Sequence, residues 1–220
     1  MMKRIALLAL VLSGLMVSEA PAQVGISIRA GTLGVGGELS LRPNRYLGLR
    51  FGGNYLTFTR SATVSGIAYD LTPKLESGSG ILDLHPFGNS FHLSGGMLWN
   101  SNQGSVVARL TGPITIGPQT YQPSDIGSLT GRVSYANHYA PYAGLGFGGR
   151  GRISLLFDLG LVFSGFPQVS MTGNTNLTGQ AKAIFDQNVI QETHDIQADI
   201  DSRQYLKYHP VISLGLRVGF

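Results

Sequence analysis

The chain contains no cysteine in 220 residues. That excludes a disulfide framework, a thiolate metal site and a cysteine nucleophile together. Charge is scarce too: Asp, Glu, Lys and Arg make up 13% of the chain, where about a quarter is usual for a soluble domain. The net charge of +4 comes without any cluster of five or more basic residues, so no footprint for nucleic acid is present. Beyond residue 22 no apolar run is long enough for a helical membrane span, because Gly or a polar residue interrupts nearly every one. Glycine, by contrast, is abundant, with 31 copies, about twice its ordinary share.

The N-terminus carries Met1-Met2-Lys3-Arg4, an apolar run from Ile5 to Val17, and Ser18-Glu19-Ala20-Pro21-Ala22. A basic start, a short apolar stretch and small residues in an Ala-x-Ala arrangement predict a secretory signal peptide over 1–22, cleaved after Ala22 with Ala20 as the other small residue of the site. A membrane anchor helix is the competing reading. The apolar run is too short to favour it. Residues 23–220 are then one domain of ordinary size.

Alternation dominates that domain. From Leu206 to Phe220 every even position is apolar, and the odd ones carry Lys207, His209, Ser213, Gly215, Arg217 and Gly219, with Val211 the one apolar exception. Successive strand side chains point to opposite faces, so this is a strand with one apolar and one polar side. The same pattern runs through Val24–Gly31, Leu33–Leu41, Tyr46–Thr59, Phe91–Asn102, Tyr139–Gly148 and Arg152–Phe166, and more weakly through Leu71–His85. Short turns rich in Pro, Gly and Asn follow at 42–45, 85–90 and 148–151, whereas 60–71, 102–128 and 167–205 are long and polar. The predicted fold class is all-β, an antiparallel up-and-down barrel of eight strands, or ten if 102–136 adds a strand pair instead of an outer hairpin. Within the last connection, residues 180–204 contain no Gly or Pro. Phe185, Val189, Ile196 and Ile200 lie near one helical face, with Asp186, Glu192, Asp195, Asp199 and Asp201 on the other. An amphipathic helix over the barrel rim is predicted; a partner or cation site is the alternative for the acidic face.

Period two alone does not say which face is outside. The polar sides consist of Gly, Ser, Asn and isolated charges, not the Lys, Glu and Thr of a solvated sheet, and aromatics stand near both ends of the last strand at Tyr208 and Phe220. Allowing for strand tilt, those two lie about 30 Å apart along the barrel, the spacing of two interfacial girdles. The terminal Leu214-Gly-Leu-Arg-Val-Gly-Phe220, together with Arg50-Phe-Gly-Gly-Asn-Tyr55 and Ala143-Gly-Leu-Gly-Phe147, resembles the small outer-membrane barrel superfamily that includes OmpA transmembrane domains, OmpX and OmpW. The resemblance implies a transmembrane barrel in the bacterial outer membrane, in contact with outer-membrane lipid and lipopolysaccharide. It also implies a C-terminal assembly signal formed by Tyr208, Leu214, Leu216, Val218 and Phe220 and read by the barrel assembly machinery.

Six charged residues fall on the polar side: Arg29, Glu38, Arg50, Asp83, Asp158 and Arg217. Small barrels are filled by side chains and buried charges must be paired, so a salt-bridged, closed lumen is expected. In the alternative, a narrow pore, breaking a pair such as Arg217 with Asp158 would open a water path. Gly144-x-Gly146-x-x-Gly149 matches a dinucleotide fingerprint but leads into a turn and a strand, not a helix. Its glycines are better read as space for Tyr142 or the arginines. Lipid A deacylases and palmitoyltransferases are outer-membrane enzymes of this size, which makes Ser and the histidines His85, His92, His138, His194 and His209 the candidates for a nucleophile and base. Nothing marks a triad or a metal spacing. The expectation is a non-enzymatic barrel with a structural or surface-interaction role, no cofactor and no metal.

Overall fold

The computed structural model describes residues 23–64, 67–135, 137–149 and 151–220. The expected signal segment, with Ala20 and Ala22, lies outside the described residues. Along the chain run β1 (Gln23–Gly31), β2 (Gly34–Arg42), β3 (Leu47–Thr57), β4 (Arg60–Val64), β5 (Ile67–Leu84), β6 (Phe91–Asn100) and β7 (Gln103–Arg109). They are followed by β8 (Ile114–Ile116), β9 (Gln119–Tyr121), β10 (Ile126–Tyr135), β11 (Tyr139–Phe147), β12 (Ile153–Phe163) and β13 (Pro167–Thr175). Then come α1 (Gly179–Ser202), a 3-10 turn (Gln204–Lys207) and β14 (Tyr208–Gly219).

Eight strands pair in a closed antiparallel ring in the order β1-β2-β3-β5-β6-β11-β12-β14, and β14 pairs back onto β1. Closure leaves no strand edge within the ring. Short connections lie at the lower end, with the first described residue, Gln23, and Phe220. The upper end has one tight turn, where Gly34 takes the positive φ of 104° that glycine tolerates, and three long excursions.

Those excursions are more ordered than polar loops. β5 is 18 residues long; its lower half belongs to the ring, and its upper half pairs with β4 on one side and β7 on the other. β7, β10 and β13 pair in turn, continuing β6, β11 and β12 past the rim. The result is a fin, β4-β5-β7-β10-β13, that stands on one side of the ring and rises about 30 Å at the rise of an extended strand. Segment 102–136, read as a hairpin or an extra ring pair, forms fin strands with the small hairpin β8-β9, so the ring itself holds eight.

The two faces of the fin differ as strand alternation requires. Asp70, on the polar face, accepts hydrogen bonds from Ser61 and Arg109, each at 2.7 Å, and these hold its carboxyl below the usual carboxylate range. On the opposite face Ala108, Leu129, Ile126 and the β8-β9 residues Ile114, Ile116 and Tyr121 form a core with Phe185 and Val189 of α1. Gly173 is required there, because a Cβ would lie 2.7 Å from the Phe185 ring. The helix expected over 180–204 is therefore present, but it packs on the fin rather than lying along the rim. Its acidic face is divided: Glu192 turns inward to accept the Gly117 N–H at 3.1 Å, while Asp186 pairs with Lys182 and Asp199 with Arg203.

The ring exterior is the apolar side of every strand. Ile26, Leu39, Phe51, Leu82, Leu93, Leu155, Leu159, Leu214 and Leu216 are among the large hydrophobics that stay exposed. Aromatics gather at two levels. Tyr55, Trp99, Tyr139, Phe163 and Tyr208 stand near the upper rim, and Phe87, Phe91, Phe147 and Phe220 near the lower one, with Phe163 against Tyr208 and Phe91 against Phe147. β14 begins at Tyr208 rather than Leu206, so Lys207 lies in the 3-10 turn over the Phe166 ring, 4.4 Å from its centre, and not on the inner face.

Phe185 is fully buried, and Phe185→Ala is expected to cost roughly 3–5 kcal/mol at the fin. Limited proteolysis should then cut α1 faster while the closed ring remains intact; unchanged α1 protection would contradict this packing.

Candidate functional site

The inward sides of the ring strands converge on one charged layer. Arg50 of β3 is its centre. Its Nε donates to Asp83 Oδ2 at 2.6 Å and its Nη2 to Asp83 Oδ1 at 2.8 Å, a bidentate pair between neighbouring strands. The same Nη2 reaches Asp158 Oδ1 at 3.1 Å, and Nη1 lies 3.4 Å from Glu38 Oε2. In the ring order β3 and β12 are diametrically opposed, so the Arg50–Asp158 contact spans the lumen from wall to wall. Arg29 of β1 closes the layer, donating to Glu38 Oε2 at 3.0 Å and to Asp158 Oδ2. Both arginines and all three carboxylates are largely or fully withdrawn from solvent.

Five of the six charges expected in the lumen thus form one network. Arg217 does not join it. The β12–β14 register sets Ser154 opposite Arg217 and Ser213 opposite Asp158, which rules out the Arg217–Asp158 pair suggested by strand adjacency alone. Adjacency names the partner strand, and only the register names the partner residue. Arg217 instead donates from Nε to Ser40 Oγ at 2.9 Å, one layer below. Within the network three carboxylates face two arginines, and Arg217 balances the remaining charge from that lower layer.

Polar residues of the inward sides that were not counted with the six charges complete the network. Ser94 donates to Asp83 Oδ1 at 2.6 Å and accepts from Arg50 at 3.0 Å, and His92 Nε2 sits 3.1 Å from Asp158 Oδ1. Ser27 lies against Glu38. Each stands on the polar side of its strand, and that parity was the available signal. His92 and Ser94 belong to a filled interior among charged partners rather than to an open cleft. Two glycines of the discarded dinucleotide match have the packing role expected of them: a Cβ on Gly144 would stand 2.8 Å from the Tyr142 ring and one on Gly146 2.8 Å from Asp158 Oδ1, whereas Gly149 lies in a turn with a positive φ of 82°. Gly160 of β12 makes the same room, since a Cβ there would stand 2.6 Å from the Tyr142 ring. β11 and β12 give up side chains where Tyr142, His92 and Asp158 need the volume.

Above the charged layer apolar side chains take up one side of the lumen, with Asn54, Ser79 and Ser213 on the cavity wall beside them. Ile81, Leu98, Ala140, Tyr142, Val162 and Val211 pack inside the ring, with Leu33 against them. Leu98, Val162 and Val211 interrupt the polar sides of β6, β12 and β14 at this level, and Leu156 interrupts that of β12 below the charged layer. Two cavities of about 40 Å³ each remain, one above the Arg50 layer beside Tyr142 and Asn54, the other below it beside Ser40, His85 and Arg217. Each has room for a few waters. Glu38 and Arg50 line both and stand between them.

Removing one partner from a buried ion pair leaves the other uncompensated. Asp83→Ala is therefore expected to destabilise the ring by about 3–5 kcal/mol. Arg217→Ala removes a cation that makes no ion pair among the described residues and should cost less than half as much. Urea unfolding of the folded protein checks both; equal losses would mean that the Arg50 layer is no more critical than its surroundings.

No protein-family model and no curated protein matches the sequence. Solved structures do match the fold. CarO2 of Acinetobacter baumannii superposes with a TM-score of 0.64 at 22% identity, over 91% of this chain and 100% of that one. CarO of the same organism gives 0.63 at 23% identity, over 90% and 97%. A major outer membrane protein from Thermus thermophilus matches at 0.40 and 14% identity, over 91% of this chain and 100% of its own. At the level of fold, then, the chain is similar to the two CarO proteins along nearly its whole described length.

Proposed function

We propose that this chain is an integral protein of the bacterial outer membrane, a closed barrel that carries an extracellular fin for surface interaction. The wall-to-wall Arg50–Asp158 contact carries the reading, because it blocks the axis of a ring whose exterior is apolar. An apolar belt bounded by two aromatic levels suits the hydrocarbon layer and its two interfaces. The short turns then face the periplasm and the long excursions face outward. The fold shared with CarO is consistent with that placement.

In this setting outer-membrane lipid and lipopolysaccharide are the partners of the belt. The outward residues of β14, Tyr208, Leu214, Leu216 and Val218, with Phe220 beyond the strand end, are the surface offered to the barrel assembly machinery. Kinship with the OmpA, OmpX and OmpW group rests on that terminal strand pattern. A catalytic role is not part of the proposal: His92 and Ser94 are each held by a carboxylate of the charged layer.

The mature protein should fractionate with the outer membrane and migrate heat-modifiably in SDS gels, and removal of Phe220 should lower its outer-membrane level severalfold. In planar bilayers the wild type should insert silently, while Arg50→Ala combined with Leu98→Ala and Val211→Ala, which removes side chains from both filled levels, should give measurable conductance. A steady wild-type conductance would establish the narrow-pore alternative; recovery of the protein as a soluble periplasmic species would end the membrane reading.

A further inference from the structure

A third, larger cavity lies in the fin. It measures about 240 Å³ and is lined by Tyr69, Val106, Leu129, Val169 and Met171 of the sheet and by Ile196 and Ile200 of α1. The sheet residues lie on the inward side: β5 is unbroken from Ile67 to Leu84, so Tyr69 has the parity of the lumen residues Ile81 and Asp83. The cavity therefore opens on the side of the fin that continues the inner wall of the ring.

Its width is set by pins at both ends of the helix. Toward the start of α1, Phe185 and Val189 are seated on the sheet, and Asn188 Nδ2 donates to Tyr121 Oη at 2.8 Å. Further along, Gln197 pairs with the edge of β13 as a strand would: its Oε1 accepts the Val169 N–H at 2.9 Å, and its Nε2 donates to the Pro167 carbonyl at 3.1 Å. Between and beyond these pins Ile196 and Ile200 line the cavity from the helix side and stay half-exposed. A helix held away from an apolar sheet face leaves unfilled apolar surface, which is costly unless something occupies it.

We propose that this cavity binds a hydrocarbon chain. Arg132 also borders the cavity, but strand parity on β10 turns its side chain to the opposite face from Leu129 and Val133; the side chains that face the cavity are apolar apart from the Tyr69 hydroxyl, so shape and apolar contact select the occupant. An apolar cavity of about 150 Å³ already takes up benzene, and this one is larger. Met171 adds an adaptable wall suited to chains of differing length. The chain could belong to a free single-chain amphiphile or to an outer-leaflet lipid, and the two sources present the same chemistry to these walls.

Photolabelling separates the sources. The full mature protein, folded in an amphipathic polymer, would be irradiated with a single-chain alkyl alcohol bearing a terminal diazirine, or with a phospholipid bearing the same group in one acyl chain. Labelled peptides would then be mapped by mass spectrometry. Labelling of 193–202 or of the β13 peptide by either probe is expected, with barrel-belt labelling as the internal reference; the probe that labels identifies the source. Val169→Trp, which fills the cavity from the sheet, and Ile200→Phe, which fills it from the helix and leaves the sheet untouched, should each lower fin labelling at least tenfold relative to the belt. Labelling confined to the belt, or fin labelling unchanged in the variant that retains the heat-modifiable fold, would overturn the proposal. Neither outcome depends on whether the barrel conducts.

Discussion

A guanidinium in the middle of a ring of strands is tolerable only if carboxylates meet it within hydrogen-bonding reach. Arg50 imposes that condition on this molecule. Asp83 meets it from the neighbouring strand β5, Glu38 from β2 on its other side, and Asp158 from across the lumen. Because β3 and β12 are opposed in the ring, the register of every pair between them has to be correct for Asp158 to arrive. A one-residue slip at any pairing would send one of these charges outward into an apolar exterior and an aliphatic residue inward. The network therefore stabilises little by contact energy alone, but it penalises wrong registers heavily, and we regard that as its main effect on the fold.

Space for the network comes from residues with no side chain. Gly146 and Gly160 leave the volume that His92, Asp158 and Tyr142 occupy, so the high glycine content and the low charge content are two sides of one arrangement: a few charged side chains, each given room. The apolar residues Leu98, Val162 and Val211 pack together inside the ring above it, beside the polar Asn54, Ser79 and Ser213. Filling at two levels, one ionic and one apolar, leaves the two lumen cavities bounded by the described residues at about 40 Å³ each.

Much of the ring was legible in the sequence, because apolar and polar positions alternate over β14, β12 and β3 with few exceptions, Val211, Leu156 and Val162 among them. The set of inward charges followed from parity, and five of the six meet as a group. Their exact partners did not follow. Arg217 faces Ser154 across the strand pair rather than Asp158, since strand adjacency carries no register. The fin was missed for a different physical reason. Its strands, such as Gln103–Arg109 and Pro167–Thr175, have one solvated polar face and short apolar stretches, which read as polar loop when taken one at a time. Only the pairing along the upper half of β5 makes them a sheet. The helix was readable from Phe185, Val189, Ile196 and Ile200, but its seat was not, because the core it covers comes from β8, β9 and β10.

Arg50 and Asp158 hold opposite walls of the ring together, and everything above rests on that link. A double-mutant cycle on urea unfolding, with Arg50→Met, Asp158→Leu and the two combined, measures it most directly. The predicted result is a double variant more stable than the sum of the single losses implies, by more than about 1.5 kcal/mol; losses that add to within about 0.5 kcal/mol would contradict it.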